Sequence, residues 1–567
     1  MNAALLMMAL FGAGDPPIDA VVVCPKQFVT ALDPLLAHRH AQGHRFAYIP
    51  NTWSADEIRS GIRAAAKAGG LKYVLLVGDA DPAADADPAL RAFSVPTHRA
   101  QAKVNVRFGS EPELATDNWY ADLDDDGMPD LAIGRLPVDS VEELRTVVSK
   151  ILAYEKQLDH GMWRQRINLV AGVGGFGGLV DGVIEMATRK FLTEGIPAAY
   201  TTHMTYGSWR SPFCPDPRRF HEATLERHNE GCLFWVYIGH GQVTELDRVA
   251  VPGGRFHILN SDDCGKLRGE QGSPIAVMLA CYTGAFDFPQ DCIAEEMLKS
   301  PGGPVAIYSG SRVTMPYAMA VMGTEMLGEY FRQQPPTLGE VVLNSKRKMI
   351  APADESDPLK NANRLMLEGI ASVMSPNRGQ LKAERVEHVQ LFNLLGDPML
   401  SMSYPQPLEL QLPREAAPGE LITVKGTSQA PGEAIVELVC RRDALKVAMP
   451  ARERFDPSNA GLAGLHADYT QANDRCWVRK TIPIAAGDFA AELQVPPECR
   501  GACHVRVFVQ GATEHAIGSA NVYVRVPTPP APENNNAEIE NAETQPVEAE
   551  LPPIVAAPGR VGESVGR

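Results

Sequence analysis

Phe234 to Gly241 reads FWVYIGHG, and Ile275 to Asp287 reads IAVMLACYTGAFD. Each is a short apolar run, rich in β-branched and aromatic side chains and bounded by glycine, the composition of a strand buried on both faces of a parallel sheet. The first delivers His240 followed by Gly241, and the second delivers Cys281 directly after Ala280. A third run, Val305 to Tyr308, follows a helix-like segment. In open α/β sheets, ligands and reacting groups collect beyond the carboxyl ends of the strands. If the first two runs are neighbours, His240 and Cys281 emerge on one rim, where an imidazole deprotonates or orients a thiol nucleophile. Spacing alone leaves a plainer alternative. In a chain with 14 His and 10 Cys, a Cys among apolar residues is usually a small core hydrophobe.

N-terminal to this stretch the same alternation continues. Strand-like AVVV, a helix-like stretch from Leu32 to His40, strand-like RFAYI, a helix-like stretch from Ala55 to Ala68 and then YVLLVGD make a βαβαβ unit. Asp79 ends the last strand, where it caps a turn or serves as a binding group. A later loop reads ATDNWYADLDDDGMPDLAIGRLPV. Asp122, Asp124, Asp126, Gly127 and Asp130 fall at positions one, three, five, six and nine of a calcium loop, where alternating carboxylates face inward and Gly permits the turn. Position twelve is Ile133 in place of the bidentate Glu, so a structural calcium ion must borrow a ligand, with Asp117 the nearest choice. The alternative is a solvated acidic turn. Ser140 and Glu143 then form a capping box opening an amphipathic helix that closes the first half.

The second half starts with INLVAGVGGFGG, in which Gly172, Gly174 and Gly177 satisfy GxGxxG. A dinucleotide fold also puts an acid at the end of the next strand. That strand, read as AAYTTH, ends in Thr202 and His203, so no organic cofactor is expected and the glycines serve close backbone approach to a site wall. Beyond the catalytic stretch, helix-like Tyr317 to Arg332 and Leu338 to Met349 lead to EHVQLFNLLGDPML, with Asp397 a turn former before Pro398.

YIGHG, LACYTGAF, CIAEEML and GGPVAIYSGS, in that order, resemble the gingipain-type cysteine peptidase family, a branch of the caspase-like enzymes. The acidic loop with its KILAYE ending, Gly78-Asp79 and Leu-Leu-Gly-Asp-Pro extend the resemblance over both halves of the α/β region. It implies a caspase-like peptidase unit acting on protein or peptide substrates through a thioester acyl-enzyme. Cys281 is then the nucleophile, His240 its proton-transfer partner, and the N–H groups of Gly241 and Cys281 the oxyanion hole. By the same analogy SGSRVTMPY lines the primary pocket, where Arg312 either receives an acidic side chain or pairs with Asp287 or Asp291. The family's His-orienting acid sits in the loop that here reads GVGGFGG and lacks one. Asp181, Glu185 and Asp247 are the candidate substitutes, and the competing reading is a catalytically degenerate, calcium-bound surface or adhesion module.

From Leu408 the pattern changes to short alternating runs between Pro and Gly clusters, which reads as an Ig-like sandwich. Four late cysteines there suit disulfides in an exported protein. The expected organisation is a signal segment over 1–16, an N-terminal α/β half over 17–160, a catalytic half over 161–405, the sandwich over 406–527 and a disordered tail over 528–567. The apolar run from Ala3 to Phe11 places the protein in the secreted or cell-envelope class. A net charge of −16 excludes non-specific binding to nucleic acid. No run reaches the length of a membrane span, so integral membrane association is not expected. Nothing in the sequence specifies an oligomeric state.

Overall fold

A computed structural model describes residues 17–156, 161–172, 195–351, 358–375, 377–449 and 451–525. The expected signal segment, Gly174 and Gly177 of the glycine motif, the candidate acids Asp181 and Glu185, and the expected C-terminal tail lie outside the described residues.

The first apolar runs are strands β1 (Ala20–Cys24), β2 (Phe46–Pro50) and β3 (Tyr73–Val77), connected by helices α1 (Val29–Ala41) and α2 (Ala55–Lys67). Helix α2 starts where it does because the Ser54 hydroxyl accepts the Glu57 N–H while the Glu57 carboxylate accepts the Ser54 N–H, which satisfies two orphan donors. The acidic loop leads into β4 (Ala132–Leu136) and then α3 (Val141–Lys156), where the Ser140 hydroxyl accepts the Glu143 N–H at 3.2 Å.

The second half contributes β5 (Arg166–Ala171), β6 (Thr201–Tyr206), α4 (Phe220–Asn229), β7 (Phe234–Ile238) and a hairpin of β8 (Arg248–Val251) and β9 (Gly254–His257). There follow β10 (Ile275–Leu279), α5 (Ile293–Lys299), β11 (Ala306–Gly310), α6 (Pro316–Gly328), α7 (Leu338–Ile350), α8 (Pro358–Met374), α9 (Leu381–Leu391) and β12 (Phe392–Leu395). One strand departs from the sequence reading. β6 begins three residues later than expected, because the Tyr200 N–H closes a turn on the Pro197 carbonyl, and His203 therefore lies inside the strand.

Among the described residues one ten-stranded sheet runs in the order β2-β1-β3-β4-β12-β11-β10-β7-β5-β6. All neighbours are parallel except β11 and β12. Two parallel blocks of opposite direction thus stand side by side, and β12, from the second half of the chain, belongs to the first block. The sheet is continuous across the division expected at residue 160. β1, β3, β4, β10 and β11 are buried along their whole length, which explains why β1, β3 and β10 read as unbroken apolar runs rather than alternating ones. In the second block the carboxyl ends of β5, β7, β10 and β11 share one rim.

After β12 come β13 (Gln406–Pro407), β14 (Leu410–Gln411), β15 (Glu415–Ala416), β16 (Leu421–Ser428), β17 (Gly432–Cys440), helix α10 (Asn459–Asn473), β18 (Cys476–Ile484), β19 (Gly487–Gln494), β20 (Gly501–Gln510) and β21 (His515–Val524). β13, β15, β17, β18, β20 and β21 form one sheet and β14, β16 and β19 another. Ile422 and Val424 from one sheet share a core with Val436, Leu438 and Val505 from the other. Strict alternation of exposed and buried residues along β16 shows that one of its faces is solvated. Each of the ten cysteines carries a free thiol, with the Cys499 and Cys503 sulfurs 3.8 Å apart.

This β-rich part is packed firmly on the α/β part. Asn473 of α10 accepts the Met204 N–H at 2.8 Å and donates to the Met204 carbonyl at 2.9 Å, so it covers the edge of the main sheet at β6. The Arg442 guanidinium donates to the carbonyls of Pro197 and Tyr200, and Phe508 and Ile517 join the main core. The chain as far as Arg525 is one compact unit.

Candidate active site

The register of β5, β7 and β10 sets the geometry of the rim. Ala171 pairs with Ile238, and Ile238 with Leu279. Two residues beyond the last pair, His240 and Cys281 leave adjacent parallel strands at equivalent positions. The Gly239 N–H still reaches the Leu279 carbonyl at 3.4 Å. Contact continues at Gly241, where a built Cβ would stand 2.6 Å from the Cys281 carbonyl oxygen and 2.9 Å from the Ala280 Cβ. Only a glycine lets the histidine loop lie against the backbone of the cysteine loop.

Cys281 is partly exposed, and its Sγ accepts the Thr314 N–H at 3.3 Å with the Thr314 hydroxyl 3.5 Å away. Thr314 belongs to the loop after β11, so the ends of β10 and β11 meet at the sulfur. Tyr282, next to it, sits in the left-handed region at φ 57°, a conformation a bulky residue adopts only where its surroundings enforce it. Its N–H donates to the Arg312 carbonyl and its hydroxyl to Glu111 at 2.9 Å. Helix α5 clamps both loops, because the Ile293 N–H donates to the Val243 carbonyl and the Ala294 N–H to the Thr283 carbonyl. The other cysteines of the α/β part are buried, and burial pushes the thiols of Cys24, Cys214, Cys232 and Cys264 up to about 12 and that of Cys292 well above its ordinary value. Such thiols are inert at neutral pH.

Of the three candidate orienting acids, Asp247 is described, and it borders the histidine loop. The Tyr237 hydroxyl donates to the His240 carbonyl at 2.6 Å and accepts the Asp247 N–H at 3.1 Å. Burial and the neighbouring Asp247 carboxylate hold this phenol well above its usual range, which keeps it a donor. A methyl built on Gly172 would stand 2.9 Å from both Asp247 Oδ2 and the Tyr237 oxygen. The first glycine of GVGGFGG thus allows close approach to the site wall. Sequence reasoning missed Tyr237 and Thr314, the first because its phenol sits inside an apolar strand and the second because its contact arises only from the return of the β11 loop.

Arg312 is buried and takes the structural alternative. Its two terminal nitrogens each donate to Asp287 at 2.7 Å, and its Nε donates to the Glu113 carbonyl. Paired in this way, it braces the wall of the site beneath Tyr282.

In the acidic loop, Asp122, Asp124 and Asp130 each offer an oxygen within 4.8 Å of the others. Asp126, whose carboxylate accepts the Met128 N–H at 2.7 Å, is not among them. Asp117, the expected borrowed ligand, is held by Arg135 at 2.7 and 2.8 Å.

Residues 13–403 match the model of the family described as Peptidase family C25. Gingipain R2 of Porphyromonas gingivalis is 24% identical over 293 residues, which cover 49% of this chain and 34% of the relative. Lys-gingipain of the same species is 24% identical over 206 residues, or 36% of this chain and 11% of the relative. The chain spans a minor part of the length of both. The crystal structure of the Arg specific cysteine proteinase gingipain R superposes with a TM-score of 0.50 at 17% identity, covering 90% of this chain and all of the other. A structure titled as a protease gives 0.50 at 15%, covering 90% and 98%. Coverage of 90% exceeds what residues 1–405 of 567 could supply, so the alignment reaches into the β-rich part.

Proposed function

The chain belongs to peptidase family C25, and from that premise we propose that it is a cysteine endopeptidase of gingipain type with Cys281 as nucleophile and His240 as its proton-transfer partner. The observation that carries this reading is the equivalent position of His240 and Cys281 on adjacent parallel strands, with Gly241 packed on the Cys281 backbone. In acylation the Cys281 sulfur attacks the substrate carbonyl carbon and His240 takes the thiol proton. The proton passes to the leaving amine as the C–N bond breaks, which leaves a thioester. Water then gives a proton to His240, attacks the thioester and releases the acid, and the thiol is restored. The N–H groups of Gly241 and Cys281 serve the oxyanion, donors commonly worth about 10² to 10³ in rate. Asp247 orients the histidine loop through Tyr237.

Site-by-site alkylation with iodoacetamide against pH, alongside turnover of a mixed peptide library, tests the assignment. Cys281 should alkylate faster than a free thiol, Cys281→Ala should abolish cleavage, and His240→Ala should lower it about 10² to 10⁴-fold. Ordinary alkylation together with no cleavage of any peptide would overturn it in favour of a catalytically degenerate module on the same fold.

Asp122, Asp124 and Asp130 are the residues that would hold a structural calcium ion, with backbone carbonyls or water completing an all-oxygen shell. A native-state ion at a hundredfold excess over Kd adds about 2.7 kcal/mol, so EDTA should lower the melting temperature of the parent and leave that of Asp122→Asn/Asp124→Asn unchanged. An unchanged melting temperature of the parent in EDTA removes calcium from the account. The β-rich part reads as an Ig-like sandwich. A secreted or cell-envelope location accompanies the peptidase reading and is tested by fractionating the producing cells. Among the described residues no helix is long and apolar enough to cross a membrane.

A further inference from the structure

His221, His257 and Asp263 lie outside the chemistry assigned above. His221 stands in the first turn of α4, His257 ends β9, and Asp263 belongs to the short helical turn Ser261–Cys264. The two imidazoles stack with centroids 4.4 Å apart and planes inclined by 25°. His257 Nε2 lies 3.1 Å from Asp263 Oδ2, and one donor atom from each of the three residues falls within 4.8 Å of the others. Asp263 is almost fully buried and firmly held, with Oδ1 on Lys266 at 2.8 Å and Oδ2 accepting the Asn260 N–H at 3.3 Å. Burial works against its charge, but Lys266 and His257 keep its carboxyl below the ordinary range. Both imidazoles are partly exposed, which leaves an entry path from solvent.

We propose that His221, His257 and Asp263 bind a divalent first-row transition ion of the zinc type, with water completing a four-coordinate site. Two imidazoles and one carboxylate suit zinc, nickel or copper, whereas the all-oxygen group at Asp122, Asp124 and Asp130 suits a hard cation. Tetrahedral zinc with bonds of about 2.0 to 2.2 Å separates its ligand atoms by about 3.4 Å. The His257–Asp263 pair is already close to that spacing, and a small movement of His221 supplies the third ligand. The ion replaces the proton that His257 and Asp263 otherwise share.

Its place in the fold gives the site a purpose. The ion ties α4 to the end of the β8–β9 hairpin and to the segment from Ile258 to Asp263. That segment is bonded to the loop following His240: the Leu246 N–H donates to the Leu259 carbonyl, the Ile258 N–H to the Asp247 carbonyl and the Ser261 N–H to the Thr244 carbonyl. Binding therefore stiffens the loop that sets Asp247 beside Tyr237. This consequence for turnover rests on the peptidase reading, while the binding itself does not.

Zinc chloride is titrated calorimetrically into the full chain carrying Cys281→Ala, which removes the partly exposed active-site thiol as a competing ligand. One ion per chain is expected, undisplaced by excess calcium chloride, with a higher melting temperature in zinc. Cobalt in its place should give the visible absorption of a tetrahedral ion. His221→Ala and His257→Ala should each weaken binding by at least about tenfold and abolish the cobalt spectrum, since even groups one step removed from a metal commonly matter by 10 to 100-fold. Absence of saturable binding, displacement by calcium, or undiminished affinity in His221→Ala/His257→Ala overturns the site. Should the double variant fail to fold, the single change at the partly exposed His221 decides the question. None of these readouts depends on peptidase activity, so absence of turnover in the parent chain with zinc binding intact counts against the peptidase reading alone.

Discussion

At Gly241 a side chain has nowhere to go. A built Cβ meets the Cys281 carbonyl and the Thr283 methyl group at 2.6 Å and the Ala280 Cβ at 2.9 Å, and the two backbones it would push apart carry the proposed oxyanion donors. Gly241→Ala should therefore lower kcat about 10² to 10³-fold, the scale of a lost donor, while Cys281 still alkylates. Unchanged turnover would show that the rim tolerates separation. Asp247→Asn keeps the shape of the residue and removes its charge from the Tyr237–His240 chain. If Asp247 positions the histidine, kcat should fall with little change in KM and the pH profile should shift, and a merely structural role would move neither. Arg39 makes a third case at this scale. Fully buried, it joins Asp397 at 2.8 Å and Glu155 at 2.7 Å, so Asp397 is more than the turn former its sequence context suggests. Arg39→Met leaves two buried carboxylates without their cation and should cost about 3 to 5 kcal/mol in denaturant unfolding.

Helix α5 is the element on which the rim depends, since its first N–H groups bind both the histidine and the cysteine loops. Its inner face carries Glu295 and Lys299 into a charge cluster with the buried Asp79, the partly buried Asp291 and the exposed Asp139. Burial, and then the Asp139 charge, push the Asp79 carboxyl up to about 7. With the folded value above the unfolded one of about 3.9, the folded state holds the extra proton between those values. The Asp79 contribution is then fully present below about pH 4 and is lost as pH rises through about 7. Asp79→Asn should accordingly become more stable than the parent as pH rises, by about 2 to 4 kcal/mol at pH 8 and by little near pH 4.5. Parallel unfolding curves for the two proteins across that window would rule the coupling out.

Over the whole molecule, the β-rich part acts as a cover. Helix α10 satisfies both backbone groups of Met204 on the outermost strand β6, and Phe508 and Ile517 fill the main core. A chain ending at residue 405 uncovers a sheet edge and an apolar face together, the combination that drives association. It should melt at a lower temperature than the full chain and elute as higher oligomers on size exclusion. A monodisperse fragment with the parent's melting temperature would mean that the contacts contribute little.

The sequence by itself determined the two apolar strands that flank the candidate site and the residues at which they end. Runs buried on both faces, as in β7 and β10, must be uniformly apolar, so the residues that stop them, Gly239-His240 and Ala280-Cys281, stood out, and with them the family resemblance. Helix α10 was missed in the sequence, because Leu462, Leu465, Tyr469 and Ala472, its buried residues at helical spacing, stand among small and polar neighbours that obscure the stripe. Tertiary structure alone decided the antiparallel junction of β11 and β12, the pairing of Arg312 with Asp287, the place of Asp247 beside Tyr237 and the meeting of His221 with His257. Each joins segments far apart in the chain or brought together only by a turn. Local periodicity records which face of an element is buried and carries no record of which distant element covers it.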